Sequence, residues 1–237
     1  MQAIVLSSID YGDSDRIAAL FTLEHGRVNG YARGARNSRK RFGPALETFA
    51  RIDVQLLYKE GLSSLRQADV ITVYPAIRSD LGSIAHALYA CELVECLTPE
   101  GQPLPRLYRL LTAYLERLDS GHEGDADRRQ FEINLLNILG YRPSLENCSR
   151  CGSSFAGSGA LMQQGGELVC RLCAATGRHI DAAALQGLIS CLSTGRFGSV
   201  HFSDNDRIQV GVLLDEAVAG HSGRKLKTLE FLRQNTG

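Results

Sequence analysis

The sequence has no surplus of charge: its 26 basic and 26 acidic residues cancel. That balance excludes a protein that holds polyanions through bulk charge, so any such binding has to come from a local patch. No apolar run approaches the ~18 residues that a membrane helix requires, so no membrane partner is expected. The opening stretch MQAIVLSSID has no basic residue before its first acid, Asp10, which argues against a secretory signal. Seven cysteines are too few for a disulfide scaffold in 237 residues, and their number is odd. A reducing, cytoplasmic setting is therefore expected. Internal repeats and long low-complexity tracts are absent, and so are a phosphate-binding P-loop and a nucleophile elbow. Nothing points to a small-molecule substrate.

What the chain does contain is apolar material, 44% of its residues, enough for two or three domains with real cores. Divided at residues 80 and 147, it carries 11 basic against 9 acidic groups, then 6 against 10, then 9 against 7. The expected class is multidomain α+β: a small barrel over 1–80, helices over 81–147, a cysteine module over 148–178 and further helices over 179–237. The first segment reads as strands at Ala3 to Ile9, Ile17 to Leu23 and Arg27 to Tyr31, separated by turn signals at Tyr11-Gly12-Asp13 and His25-Gly26. Ile52, Val54, Leu56 and Tyr58 then alternate with polar residues, and Val70 to Tyr74 supplies a fifth strand. Five short strands predict a closed barrel, of which the OB-fold is the kind suited to nucleic acid, although an SH3-like barrel would give much the same pattern.

Helical spacing takes over at Ile84, Leu88, Cys91, Val94 and Leu97, and again from Leu104 to Leu118. A third helix is predicted from about Asp127 to Leu139, stopped by Gly140 and by Arg142-Pro143. Cys91 and Cys96 fall on or beside an apolar stripe and read as small core residues.

Cys148-x-x-Cys151 and Cys170-x-x-Cys173 are separated by 18 residues, the spacing of a four-thiolate zinc site. Two residues between thiolates let one tight turn aim both sulfurs at an ion about 2.3 Å away. Gly152 lets that turn fold back, and Gly165-Gly166 can close the hairpin that returns the second pair. Four thiolates saturate tetrahedral zinc, so the metal is expected to hold the fold and do no chemistry. His179, six residues past Cys173, reads as polar filler and not as a competing ligand.

The stretch ARGARNSRKRF, residues 32–42, contains Arg33, Arg36, Arg39, Lys40 and Arg41 and no acid. With Arg27 it makes six cations between His25 and Leu46 without a carboxylate. Such a run is often only a solvated loop, but Gly34 and Gly43 bracket it and it joins barrel strands, where OB-folds frame their ligand. Tyr31 and Phe42 flank it and are candidates for stacking bases, with Phe42 equally suited to a core. Six phosphate contacts to a single strand would give a slope of log K against log salt of about −4. A second cluster, Arg224-Lys225-Leu226-Lys227, contributes Lys225 and Lys227 as weaker candidates.

Three stretches resemble the RecO family of recombination mediators: residues 5–49, VLSSIDYGDSDRIAALFTLEHGRVNGYARGARNSRKRFGPALETF; residues 131–152, FEINLLNILGYRPSLENCSRCG; and residues 220–232, GHSGRKLKTLEFL. The resemblance implies an N-terminal OB-fold, a helical domain and a four-cysteine zinc module. It implies ATP-independent binding of single- and double-stranded DNA, annealing of complementary strands, and action with RecR and the single-stranded-DNA-binding protein SSB to load RecA on gaps. Carried onto this sequence, it assigns DNA contact to Arg33, Arg36, Arg39, Lys40 and Arg41, and zinc to Cys148, Cys151, Cys170 and Cys173. The family's pocket for the acidic SSB tail falls at Arg128 and Arg129, with Gln130 where some members have arginine. Read without the resemblance, those two arginines are the exposed face of a helix whose N-terminal side carries Glu123, Asp125 and Asp127.

Two other classes compete with a DNA-binding mediator. A zinc-dependent nucleic-acid hydrolase would need an open metal site or paired carboxylates; Asp204 and Asp206 are better explained as the capped start of a helix carrying Ile208, Val212, Leu213 and Val218. A protein adaptor would turn its basic loop toward an acidic partner.

Overall fold

The computed structural model describes residues 1–38, 40–121, 124–155 and 157–235. They fall into two compact units, Met1–Glu123 with Leu226–Gly237, and Gly124–Lys225. The first unit has five strands, β1 Gln2–Tyr11, β2 Asp15–Thr22, β3 Gly26–Ala32, β4 Arg51–Leu57 and β5 Leu62–Thr72, with continuous buried runs in β1 and β2 and inward–outward alternation in β3 and β4. They close into a barrel in the order β1-β2-β3-β5-β4. Neighbours run antiparallel except β3 and β5, where Asn29 lies against Leu62 and Tyr31 against Ser64 in parallel. Of the two small barrels left open by the strand pattern, this is the OB-like one. β5 starts well before Val70, because residues 62–68 lack the β-branched signature and are held extended by pairing to both β3 and β4.

Ala3, Val5, Ala18, Leu20, Ile52, Val54 and Leu65 fill the barrel. The connection from β3 to β4 is a series of turns that lays Ala35, Phe42, Ala45 and Leu46 onto the same core, so it plugs the barrel. Helices α1 Pro75–Ser79, α2 Leu81–Leu97, α3 Pro105–Asp119 and the C-terminal α7 Lys227–Asn235 belong to this unit. Asp80 starts α2, its carboxylate accepting the Ser83 N–H at 2.6 Å. α2 packs on β1, and Cys91 is a fully buried core residue there, with burial pushing its thiol pKa up.

The second unit contains α4 Asp125–Leu139, α5 Ala182–Ser193 and α6 Asp204–Ser222. Its three-stranded sheet is ordered β7-β6-β8, from β6 Ala160–Met162, β7 Leu168–Val169 and β8 Arg178–Ile180. α4 ends where predicted, with Gly140 left-handed at φ 81°. The Ser203 hydroxyl accepts the Asp206 N–H at 3.2 Å, so Ser203 to Asp206 are a helix start, as the capping reading has it. The apolar stripe of α6 runs through Val210, Leu213, Leu214, Ala217 and Val218; Ile208 is exposed. Among the described residues, no helix is long and apolar enough to cross a membrane.

Candidate metal centre and nucleic-acid interface

Two tight turns bring the four cysteines together. Gly152 N–H returns to the Cys148 carbonyl at 2.9 Å, and Cys173 N–H to the Cys170 carbonyl at 3.0 Å. Gly152 takes φ +74°, a left-handed turn that a side chain would strain. The β6–β7 hairpin, in which Met162 pairs with Leu168, carries the second turn back to the first. The ligand atoms of Cys148, Cys151, Cys170 and Cys173 all lie within 4.8 Å of one another, so the cluster can hold a metal ion. Thiolate–zinc bonds of about 2.3 Å put sulfurs about 3.8 Å apart on a tetrahedron, and Cys151 Sγ lies 3.7 Å from Cys170 Sγ. The donor set therefore fits the ion expected from the spacing. Burial pushes the Cys148 thiol up, but backbone N–H groups of Cys151, Cys170 and Arg150 outweigh it and bring the group down to about 6. Hydrogen bonds with the thiols of Cys151 and Cys170 push Cys173 up to about 12. His179 is not part of this cluster; its Nδ1 pairs with Asp181 Oδ1 at 3.1 Å.

The basic stretch is neither a free loop nor wholly committed to ligand. Phe42 is 2% exposed in the barrel core, which withdraws it as a base-stacking residue. The cations around it face outward: Arg33, Arg36, Lys40 and Arg41 are exposed. Arg41 braces the turn, donating from Nε to Ser38 Oγ at 3.0 Å and from Nη2 to the Arg33 carbonyl at 2.8 Å. Arg36 donates to the Asp13 carbonyl at 3.3 Å and sits 3.6 Å from an Asp10 oxygen. Arg27 is spoken for, with Nε on the Thr98 carbonyl at 3.0 Å and Nη1 on Glu100 at 3.2 Å. Arg39 lies outside the described residues.

One anchor of this stretch has no motif in the sequence. The Asp15 carboxylate accepts the Gly34 N–H at 2.7 Å, the Tyr31 hydroxyl and the Ser14 hydroxyl at 3.1 Å. The Tyr31 bond, then the Gly34 bond, hold its pKa below the usual carboxylate range, and the same contact raises that of Tyr31. Asp15 thus ties the start of the basic loop to β2.

Arg128 and Arg129 are 4% and 5% exposed, which corrects their reading as an exposed helix face. Arg128 reaches Asp125 at 2.5 Å, while Arg129 reaches Glu132 at 2.9 Å and Asp215 at 2.8 Å. Burial works against the Arg129 charge, yet Glu132, Asp125 and Asp215 outweigh it and raise its pKa. Gln130, also buried, donates to the Arg196 carbonyl at 3.1 Å. Lys225 and Lys227 are exposed. The Lys227 and Thr228 N–H groups start α7 on the Glu92 carboxylate, at 3.1 and 3.0 Å.

Family models for the recombination protein O N terminal and C terminal regions match residues 1–74 and 78–230. The chain is 61% identical to a DNA repair protein RecO of Pelobacter propionicus over 235 residues, 99% of this chain and 96% of that one. It is 51% identical to the DNA repair protein RecO of Geobacter sulfurreducens, covering 99% of this chain and 97% of that one. With the protein of that name from Myxococcus xanthus it shares 37% identity, covering 98% and 96%. The barrel, the helices and the cysteine cluster thus sit in a chain that belongs to the recombination protein O family, whose work is DNA repair and recombination.

Proposed function

We propose that this chain binds single- and double-stranded DNA through the outward cations of the barrel plug and anneals complementary strands without ATP. In this reading it acts with RecR to load RecA on gaps covered by SSB. The observation that carries it is the division of labour within residues 33–46. Apolar side chains of the stretch are sunk in the barrel, while Arg33, Arg36, Lys40 and Arg41 stay exposed on a rigid base. Cations held this way screen phosphate repulsion between two strands and leave the bases free to pair. Zinc on Cys148, Cys151, Cys170 and Cys173 braces the second unit; four sulfurs complete its coordination. Lys225 and Lys227 add a weaker contact. The acidic tail of SSB reaches Arg128 and Arg129 only where Asp125 and Asp215 give up their pairs.

Fluorescence anisotropy with a labelled single strand tests this. Four phosphate contacts predict a slope of log K against log salt of about −3, a loss of roughly fiftyfold between 50 and 200 mM. Replacing Arg33, Arg36 and Lys40 together by Glu weakens binding and slows annealing in parallel. Annealing at the wild-type rate in that variant overturns the assignment, and absence of binding at low salt favours an adaptor whose partner is an acidic protein.

A further inference from the structure

Beside the basic loop, the barrel exposes rings and branched side chains on rigid strands. Ile9 on β1 pairs laterally with Ile17 on β2, Ile17 with Tyr31 on β3, and Tyr31 with Ser64 on β5. Paired residues project from one face of a sheet and successive residues from opposite faces. Ala18 and Ala32 point into the core, so Ile17 and Tyr31 point outward, and Ile9 with them. Tyr11, two residues beyond Ile9, shares that face and meets Tyr31 edge-on, with centroids 6.1 Å apart and planes at 85°. Ile9 is 61% exposed and Tyr11 56%. The Tyr31 ring is fixed by its bond to Asp15, which makes it a support for Tyr11.

Charge identifies the occupant. Arg36 lies across the β1–β2 turn, on the Asp13 carbonyl and beside Asp10, and the Gly34 N–H on Asp15 brings Arg33 to the same end of the strands. The acids of that turn are largely engaged: Asp10 by Arg16 at 3.0 Å and by Arg36, and Asp15 by Tyr31 and Gly34, leaving Asp13 at the tip. Exposed aromatic faces next to cations suit a polymer that alternates flat apolar bases with phosphates. A duplex keeps its base faces stacked inside and has nothing to lay on the ring.

We propose that Tyr11, supported by Tyr31 and flanked by Ile9, is a stacking platform for unpaired bases, and that it separates single-strand from duplex binding by this barrel. The proposal rests on the reading of the basic loop as a phosphate grip. Tyr11 is exposed, so its replacement leaves the fold intact.

Three labelled probes test it by anisotropy on the full chain: a thymidine homopolymer, an abasic strand of equal length and a duplex. Tyr11→Ala weakens binding of the thymidine strand roughly 5- to 150-fold, the range for one base stacked on an aromatic ring. Affinity for the abasic strand and the duplex does not change, and Tyr11→Phe keeps most of the single-strand affinity. Equal losses on all three probes overturn the platform, because Tyr11 then merely supports the loop. Wild-type affinity of Tyr11→Ala for all three also overturns it and makes the apolar face a docking surface for protein. Failure of the phosphate grip has its own signature: wild type binds none of the three at low salt, and both readings fall together.

Discussion

Asp15 carries more structure than its surroundings in the sequence suggest. Its carboxylate joins β2, β3 and the first turn of the basic loop through Tyr31 and Gly34. Those bonds hold its folded pKa below the unfolded value of about 3.9. A group shifted that way stabilises the fold above the unfolded pKa and loses its contribution as pH falls through the folded one. Asp15→Asn is therefore expected to lower the melting temperature at pH 7. The gap to wild type narrows below about pH 4 as the wild-type carboxyl protonates; a gap of constant size from pH 7 to pH 3 contradicts the anchor. Nothing in GDSD foretells this role, because the bond to Gly34 spans 19 residues and depends on the β2–β3 register. Cys148, Cys151, Cys170 and Cys173 are the opposite case. Each pair is set by a turn of its own, so spacing alone displays the cluster.

Among elements, the plug over residues 33–50 is the one whose sequence misleads. Its charges are visible, but which of Phe42 and Tyr31 turns inward is decided by the barrel opening beneath it, and Phe42 goes in. Truncating a buried Phe to Ala costs about 3–5 kcal/mol. Phe42→Ala is expected to lower the melting temperature by about 10 °C or more and to weaken DNA binding, since Lys40 and Arg41 lose their base. Stability near wild type in thermal unfolding would mean that the plug does not seal the barrel. α4 was legible in its stop at Gly140 and not in the burial of its arginines, since Arg129 takes a partner, Asp215, from α6, 86 residues on. The same long reach governs α7: Glu92 of α2 caps its N-terminus in place of a local Ser or Asp. Glu92→Ala removes a cap worth about 1 kcal/mol, so amides of α7 should exchange roughly fivefold faster while those of β1 and β2 keep their protection.

For the molecule as a whole, the division of the chain into two compact units predicts two separable stabilities. The barrel has its own apolar filling and plug. The cysteine module has only short strands of two and three residues around its four sulfurs. Strands this short pair through few backbone bonds, so a bound ion is expected to supply much of the stability of the cysteine turns, and metal binding is then folding free energy. Stripping the metal with a chelator is expected to release close to one equivalent of zinc and to raise hydrogen exchange across residues 148–180 by orders of magnitude. β1 to β5 should remain protected, and single-strand binding through the plug should hold within about twofold, because the loop's anchors at Asp15 and Phe42 lie in the barrel unit. A chelated protein whose barrel amides exchange as fast as its cysteine turns would show the two units to be one cooperative structure. A chelated protein whose exchange is unchanged would show the thiols to be carrying nothing.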